Sequence, residues 1–272
     1  MKNYLLLLAV LPIMGACNSA STSTTSSTMK DSSTKVEITT LDVVYAVDSV
    51  KPKSTIAYDP SIQGKRPVVL VIPEWWGLGD YIKMRTRELA KLGYFAMGVD
   101  MYGDAMYASN PDDAGKAAMP FYKDPNLVKS RLSAAMDQLK KYPQADINRV
   151  AMIGYCFGGS MSLKAAKMGL PLKAVVSFHG NLADNASKTV PILICHGAAD
   201  QFVKPEEVAA FRKSMDSLGA NYIFKSYPGA THAFTNPNAT ETGKKFHMPI
   251  EYNAAADTAS WNEMKTFLTK NL

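Results

Sequence analysis

From Arg66 to Leu268 the chain alternates between strand-length apolar runs and segments of helical period, and no feature constrains its fold more. RPVVLVIP (66–73) is apolar almost without a break, as a strand buried on both faces of a parallel sheet must be. Behind it Ile82, Met84, Leu89 and Leu92 share the spacing of a helix from Tyr81 to Leu92 that Gly93 ends, and the strand YFAMGVD follows. Leu127, Leu132, Ala135, Met136 and Leu139 mark an amphipathic helix, RVAMIG (149–154) a strand and SMSLKAAKM (160–168) another helix. LKAVVSF, VPILICHG, a helix from Pro205 to Leu218, YIFKSYP and a last helix from Ala254 to Leu268 continue the pattern. Strands that alternate with helices cross over to pair in parallel, so the expected class is α/β, a mostly parallel sheet with helices on both faces. Ahead of it, VEITTLDVVYAV and STIAYDP, joined by VKPK, read as an antiparallel hairpin. Only the stretch from Met101 to Pro125 departs from the rhythm, and it reads as an irregular wall or lid following a strand end.

The N-terminus reads differently. Lys2, the apolar stretch LLLLAVLPIM and the small residues before Cys17 make residues 1–16 an export signal, too short for a permanent membrane span. GAC (15–17) resembles a bacterial lipobox, with Met14 where leucine is usual, so Cys17 is the expected lipidation site, with an ordinary secretory signal cut nearby as the alternative. Residues 17–35, rich in serine and threonine, read as a flexible tether, and 36–272 as one folded domain. The protein is therefore expected to be exported and held at a membrane, periplasmic or at the cell surface, through the lipid alone. The net charge of +6 is spread along the chain, and no basic run interleaves with aromatics as a nucleic-acid groove requires. A monomer is expected.

IGYCFGG (153–159) concentrates the chemistry. Cys156 stands between a buried strand and a helix, with Gly154 and Gly158 two residues to either side, the spacing of a nucleophile elbow too tight for side chains at those flanks. A thiol there sits at a helix N-terminus, whose dipole favours thiolate. A nucleophile of this kind needs a base and an orienter; Asp200 and His232 follow later strand ends in the order nucleophile, acid, histidine. His179, His196 and His247 read as structural or exposed, Asp100 as a structural or wall residue, and Asp184 as a weaker competitor of Asp200. Cys195 reads as a core thiol. A Cys156–Cys195 disulfide would join strands not expected to be neighbours. Glu74, at the end of the most apolar strand, could pair with Arg85 or Arg87, but its loop is where such a fold supplies one oxyanion donor, the Trp75 N–H, to match the Phe157 N–H. Trp76 would form an apolar wall, with core packing of the tryptophan pair as an equal alternative.

The stretches RPVVLVIPEWWGL, LGYFAMGVDMYGD, IGYCFGG, VVSFHG, HGAADQFV, YPGATHAFTNP and YNAAADTASW resemble, in this order, the dienelactone hydrolase family of α/β-hydrolases, from about Arg66 onward. The resemblance implies the α/β-hydrolase fold, a Cys156–Asp200–His232 triad, and a glutamate, Glu74, that contacts the resting thiol and holds it neutral. A carboxylate beside a thiol raises its pKa, and a protonated thiol resists oxidation. Members that open dienelactones bind the substrate carboxylate with arginines at positions that here fall on Asp104 and Asn236. Neither makes the bidentate pair a carboxylate needs. With Trp76 and Tyr102 these two complete the expected substrate wall.

The expected protein is a carboxylic ester or lactone hydrolase with a small-molecule substrate, no metal and no organic cofactor. Tyr102, Tyr107, Phe121 and Tyr122 hint at an apolar or carbohydrate-like substrate. A deacetylase or peptidase with the same triad and a non-catalytic surface binding protein remain open as alternatives. A thiol redox protein is disfavoured because no C-x-x-C is present.

Overall fold

The computed structural model describes Met1 and residues 37–272 apart from residue 184. The expected signal at 1–16 beyond Met1, the expected lipidation site Cys17, the expected tether at 17–35 and the competitor Asp184 lie outside the described residues. No helix among those described is long and apolar enough to cross a membrane.

The alternation read from the sequence becomes one eight-stranded sheet. Its strands are β1 (Thr39–Val44), β2 (Lys53–Tyr58), β3 (Arg66–Ile72), β4 (Phe95–Gly98), β5 (Ala145–Tyr155), β6 (Ala174–Phe178), β7 (Ile192–Gly197) and β8 (Tyr222–Tyr227). They lie in the order β1-β2-β4-β3-β5-β6-β7-β8. The hairpin β1–β2 is antiparallel and joins β4 antiparallel; every other pair is parallel. The order reverses between β4 and β5, with β3 at the switch, and in open α/β sheets that crevice at the strands' carboxyl ends is where ligands bind.

Strand side chains alternate between faces, so β3 feeds two cores. Val68, Leu70 and Ile72 enter one with Leu132 of α3 (Pro125–Leu139), Met161 of α4 (Phe157–Lys167) and Met215 of α5 (Pro205–Ser217). Val69 and Val71 enter the other with Ile82 and Leu89 of α1 (Asp80–Lys91) and Met264 and Leu268 of α7 (Ala254–Asn271). This is why β3 has to be apolar from Val68 to Ile72: neither face sees water there.

Two segments depart from the sequence expectation. Residues 101–125 are not irregular throughout, for Pro111–Lys123 form α2. Asn110 caps it by accepting from the Asp113 N–H at 3.0 Å, Pro111 takes a first-turn position, and Ala114, Ala118 and Phe121 bury one face. The proline at 120 masks this pattern in the sequence, because inside a helix it removes a hydrogen bond and usually marks an end. Ala239–Phe246 form α6, a helix not anticipated, whose Phe246 stacks on Trp76 with ring centroids 5.8 Å apart.

Candidate active site

β5 ends at Tyr155 and α4 begins at Phe157, so the whole turn falls on Cys156. Its backbone takes φ 54° and ψ −116°, a strained conformation for a residue with a side chain, which lifts the thiol off the sheet edge to a half-buried position. The glycines make the turn possible. A Cβ at Gly154 would lie 2.0 Å from the Gly158 carbonyl oxygen, and one at Gly158 would lie 2.2 Å from that of Ile72. The elbow thus presses α4 onto both β5 and β3.

Asp200 and His232 arrive on the loops after β7 and β8. Asp200 is fixed through Oδ1, which accepts from the N–H groups of Phe202 at 2.8 Å and Val203 at 3.3 Å. Its Oδ2 lies 2.8 Å from His232 Nδ1. The carboxylate side chain is wholly buried, so it accepts from Nδ1–H and directs Nε2 outward. On that side the Cys156 thiol is within hydrogen-bond reach. Burial works against a charge on His232, but negative charge on the Cys156 sulfur when it is a thiolate and on Asp200, with the hydrogen bonds to both, outweighs it and raises its pKa above the ordinary value. The structure therefore brings together all three residues expected from the sequence.

Glu74 is also where the sequence places it, at the end of β3 and buried, yet its partner differs. Its Oε2 accepts from the Asn236 amide at 2.7 Å rather than meeting the thiol. Arg85 makes its ion pairs with Asp257 and Glu88 and acts on Glu74 only through its charge. Burial raises the Glu74 carboxyl to about 7, with the Asn236 bond partly opposing. The folded protein thus holds this proton more tightly than the unfolded chain, whose value is near 4.5. The resulting stability is complete below that value and is lost as pH rises through about 7. The gap corresponds to roughly 3 kcal/mol. Glu74→Gln is expected to remove that loss: between pH 5 and pH 8 urea denaturation should show wild type falling by up to about 3 kcal/mol relative to the variant. Parallel pH profiles would refute it.

Two cavities meet at Glu74 and Trp76. The smaller, about 300 Å³, contains Cys156, His232, Trp75, Met119, Tyr122 and Ile250 and is mostly apolar. The larger, about 690 Å³, lies beyond and is lined by Lys53, Lys83, Lys245, Asn236, Asn238 and Tyr107 among others. Only the smaller includes the thiol and the imidazole.

Three expected wall residues are displaced from the thiol cavity. Asp104 is exposed at φ 54°, and its backbone and side chain pair with the backbone of Lys51, two strands away from the thiol. Asn236 faces the larger cavity and holds Glu74. Tyr102 lies behind the wall. Its hydroxyl donates to the Trp75 carbonyl at 2.8 Å, and its ring packs on Phe121 and Phe157, each 5.7 Å away. Of the aromatics in that stretch, Tyr122 alone reaches the thiol cavity. Trp76 does line it, as expected.

Asp100, Cys195 and His247 are placed as the sequence suggests. Asp100 organises its own loop, accepting from the N–H groups of Lys53, Gly103 and Ala105. Cys195 is free and fully buried, and burial raises its thiol to about 12; β6 separates its strand from that of Cys156, which is also free. His247 caps the end of α6, exposed, in the left-handed conformation. His179 is the residue whose surroundings the sequence does not disclose: buried behind the elbow, it touches both Cys156 and His232.

A family model for the dienelactone hydrolase family matches residues 54–272. The chain belongs to the dienelactone hydrolase family. Its relatives include a putative carboxymethylenebutenolidase of Aquifex aeolicus, 32% identical over 203 residues, covering 71% of this chain and 86% of that protein. Protein usf of Aquifex pyrophilus is 34% identical over 179 residues, covering 62% of this chain and 77% of its own. Among solved structures, a dienelactone hydrolase-like promiscuous phosphotriesterase from metagenomic libraries superposes with a TM-score of 0.80 at 33% identity, over 86% of this chain and 98% of that one. The α/β-hydrolase fold is thereby shown, and the dienelactone hydrolase family makes this chain a hydrolase.

Proposed function

We propose that this dienelactone hydrolase family member cleaves small carboxylic esters or lactones through an acyl-enzyme on Cys156. The observation that carries the proposal is the Cys156–His232–Asp200 relay opening into a small apolar cavity. His232 takes the thiol proton, and the thiolate sulfur attacks the carbonyl carbon. The oxyanion forms toward the Phe157 N–H, at the first residue of α4, and the Trp75 N–H. As the C–O bond breaks, the imidazolium returns its proton to the leaving oxygen. Water, deprotonated by the same imidazole, then cleaves the thioester, releasing the acid and restoring the thiol. In a lactone the leaving oxygen stays attached to the acyl group, and the product is a hydroxy acid.

The cavity favours an uncharged acyl group. Its surface is largely apolar, and neither Asp104 nor Asn236 supplies a cation to it. A substrate carboxylate would therefore find no arginine at either of those positions, which argues against the anionic dienelactones that name the family. The test is hydrolysis of p-nitrophenyl acetate and butyrate, a dienelactone and a phosphotriester, with acid-quenched samples analysed by mass spectrometry. The expected result is ester turnover with an acyl mass on the Cys156 peptide and little dienelactone activity. Phosphotriester turnover would extend to this chain the activity for which a solved relative is named. Absence of both turnover and adduct would sink the ester reading.

A further inference from the structure

We propose that His179 is the positioning residue of this site, fixing nucleophile and base relative to one another from behind the elbow. The inference rests on the triad reading above. It starts from a single ring that contacts both partners. His179 follows β6, is fully buried and adopts φ 43°. Its Nδ1 accepts from the backbone N–H of Cys156 at 3.1 Å, a donor shared with the Phe178 carbonyl at 2.9 Å. Its ring also meets that of His232 edge to face, with centroids 5.2 Å apart, while Phe202 meets His232 likewise at 5.0 Å. His232 is therefore held by two rings as well as by Asp200.

The tautomer follows from the geometry. A backbone N–H can only donate, so Nδ1 must carry its lone pair and the ring proton sits on Nε2. Nε2 lies 2.7 Å from Thr235 Oγ1, to which it donates. Thr235 is three residues beyond His232 on the same loop. Its Oγ1 also accepts from the Tyr81 hydroxyl at 2.8 Å, and its carbonyl accepts from Arg85 at 2.9 Å. Arg85 in turn pairs with Asp257 of α7. A chain of hydrogen bonds thus runs from α7 and α1 through the His232 loop to the strained N–H of the nucleophile.

A neutral ring is required for this role. A proton on Nδ1 would oppose the Cys156 N–H and place a cation against His232. The surroundings prevent it: burial, with His232, Arg85 and His196 nearby, holds the His179 pKa well below its ordinary value, and Tyr155 and Phe234 face the ring. The elbow conformation carries intrinsic strain, and a supporting hydrogen bond on its N–H limits how far the sulfur can drift from Nε2 of His232.

Three variants test this. His179→Phe keeps a ring but loses the acceptor, His179→Asn keeps an acceptor on a short side chain, and Thr235→Val cuts the anchor on Nε2. The readouts are kcat and KM on p-nitrophenyl butyrate and the pH profile of Cys156 alkylation by iodoacetamide, located by peptide mass. Tm is recorded for each. His179→Phe and Thr235→Val are expected to lower kcat on the order of tenfold to hundredfold, because a misplaced reacting pair costs that much, while KM changes by less than about twofold. The alkylation midpoint should move to higher pH, and His179→Asn should recover part of both losses. An unchanged alkylation profile and kcat in His179→Phe, or an asparagine variant no better than phenylalanine, would reduce His179 to a space-filling ring. If His179→Phe does not fold, the Thr235→Val profile decides in the same way. Alkylation needs no substrate, so its dependence on His179 survives even if the ester reading fails.

Discussion

Cys156→Ala is expected to lower kcat for methyl butyrate, followed by acid release, by about five to six orders of magnitude, and His232→Ala by nearly as much. The double variant should be scarcely worse than either single one. The reason lies in how the two groups share one event. In the proposed mechanism the thiol becomes nucleophilic when Nε2 of His232 takes its proton, and that proton is the one later returned to the leaving oxygen. Removing either partner abolishes the same step, so the second removal has nothing left to take away. Asp200→Ala should be milder, on the order of ten-thousandfold. Asp200 acts on the reaction through the imidazole, orienting it by the 2.8 Å bond to Nδ1 and favouring its charged form, and Phe202 and His179 retain part of that orientation. An unactivated ester is essential here. A p-nitrophenolate leaves without a proton and would hide the acid half of the His232 role. Losses that add in the double variant would mean that Cys156 and His232 act in separate steps, and the relay would have to be abandoned.

The parts of this site legible in the sequence are those whose signal is local. Gly154, Cys156 and Gly158 disclose the elbow because the clash that excludes side chains arises within a few residues and against the neighbouring strand. Asp200 and His232 are assignable because each follows a strand end and the sheet brings all its parallel strand ends to one edge. Side-chain direction is another matter. Asp104 matches a family position, yet it sits in a left-handed turn stitched to Lys51, across the hairpin connection, and so points away from the thiol cavity. Asn236 reads as a wall in the sequence and instead holds Glu74 from a loop 162 residues away. His179 follows the same rule. Its contacts to Cys156 and Thr235 span 23 and 56 residues, and no periodicity encodes them. The helix α2 is hidden for the opposite reason: its cap and its buried face are local, but Pro120 overrides them in any reading by propensity.

Gly158→Ala is expected to destabilise the protein by more than about 4 kcal/mol, which for a domain of this kind means little soluble folded material. The added Cβ would approach the Ile72 carbonyl oxygen to 2.2 Å and that of Pro73 to 2.6 Å. Both are backbone atoms at the end of β3, so no side chain can rotate away to relieve the overlap. Ile72 also pairs in register with Gly154, so displacing it would open the β3–β5 ladder just below the thiol. Gly154→Ala should behave similarly, its Cβ falling 2.0 Å from the Gly158 oxygen. Gly115 offers the contrast. It lies in α2 on the rim of the thiol cavity, with nothing within 4 Å of an added methyl, so Gly115→Ala meets no clash and gains helix propensity. That variant should be stabilised by about 0.5–1 kcal/mol. Urea denaturation of the three, with expression yield for those that do not fold, separates the cases. A folded Gly158→Ala protein of near wild-type stability would show that α4 can slide along the sheet. The elbow would then be a flexible mount for the thiol, and the strain at Cys156 could not be what fixes its reach to His232.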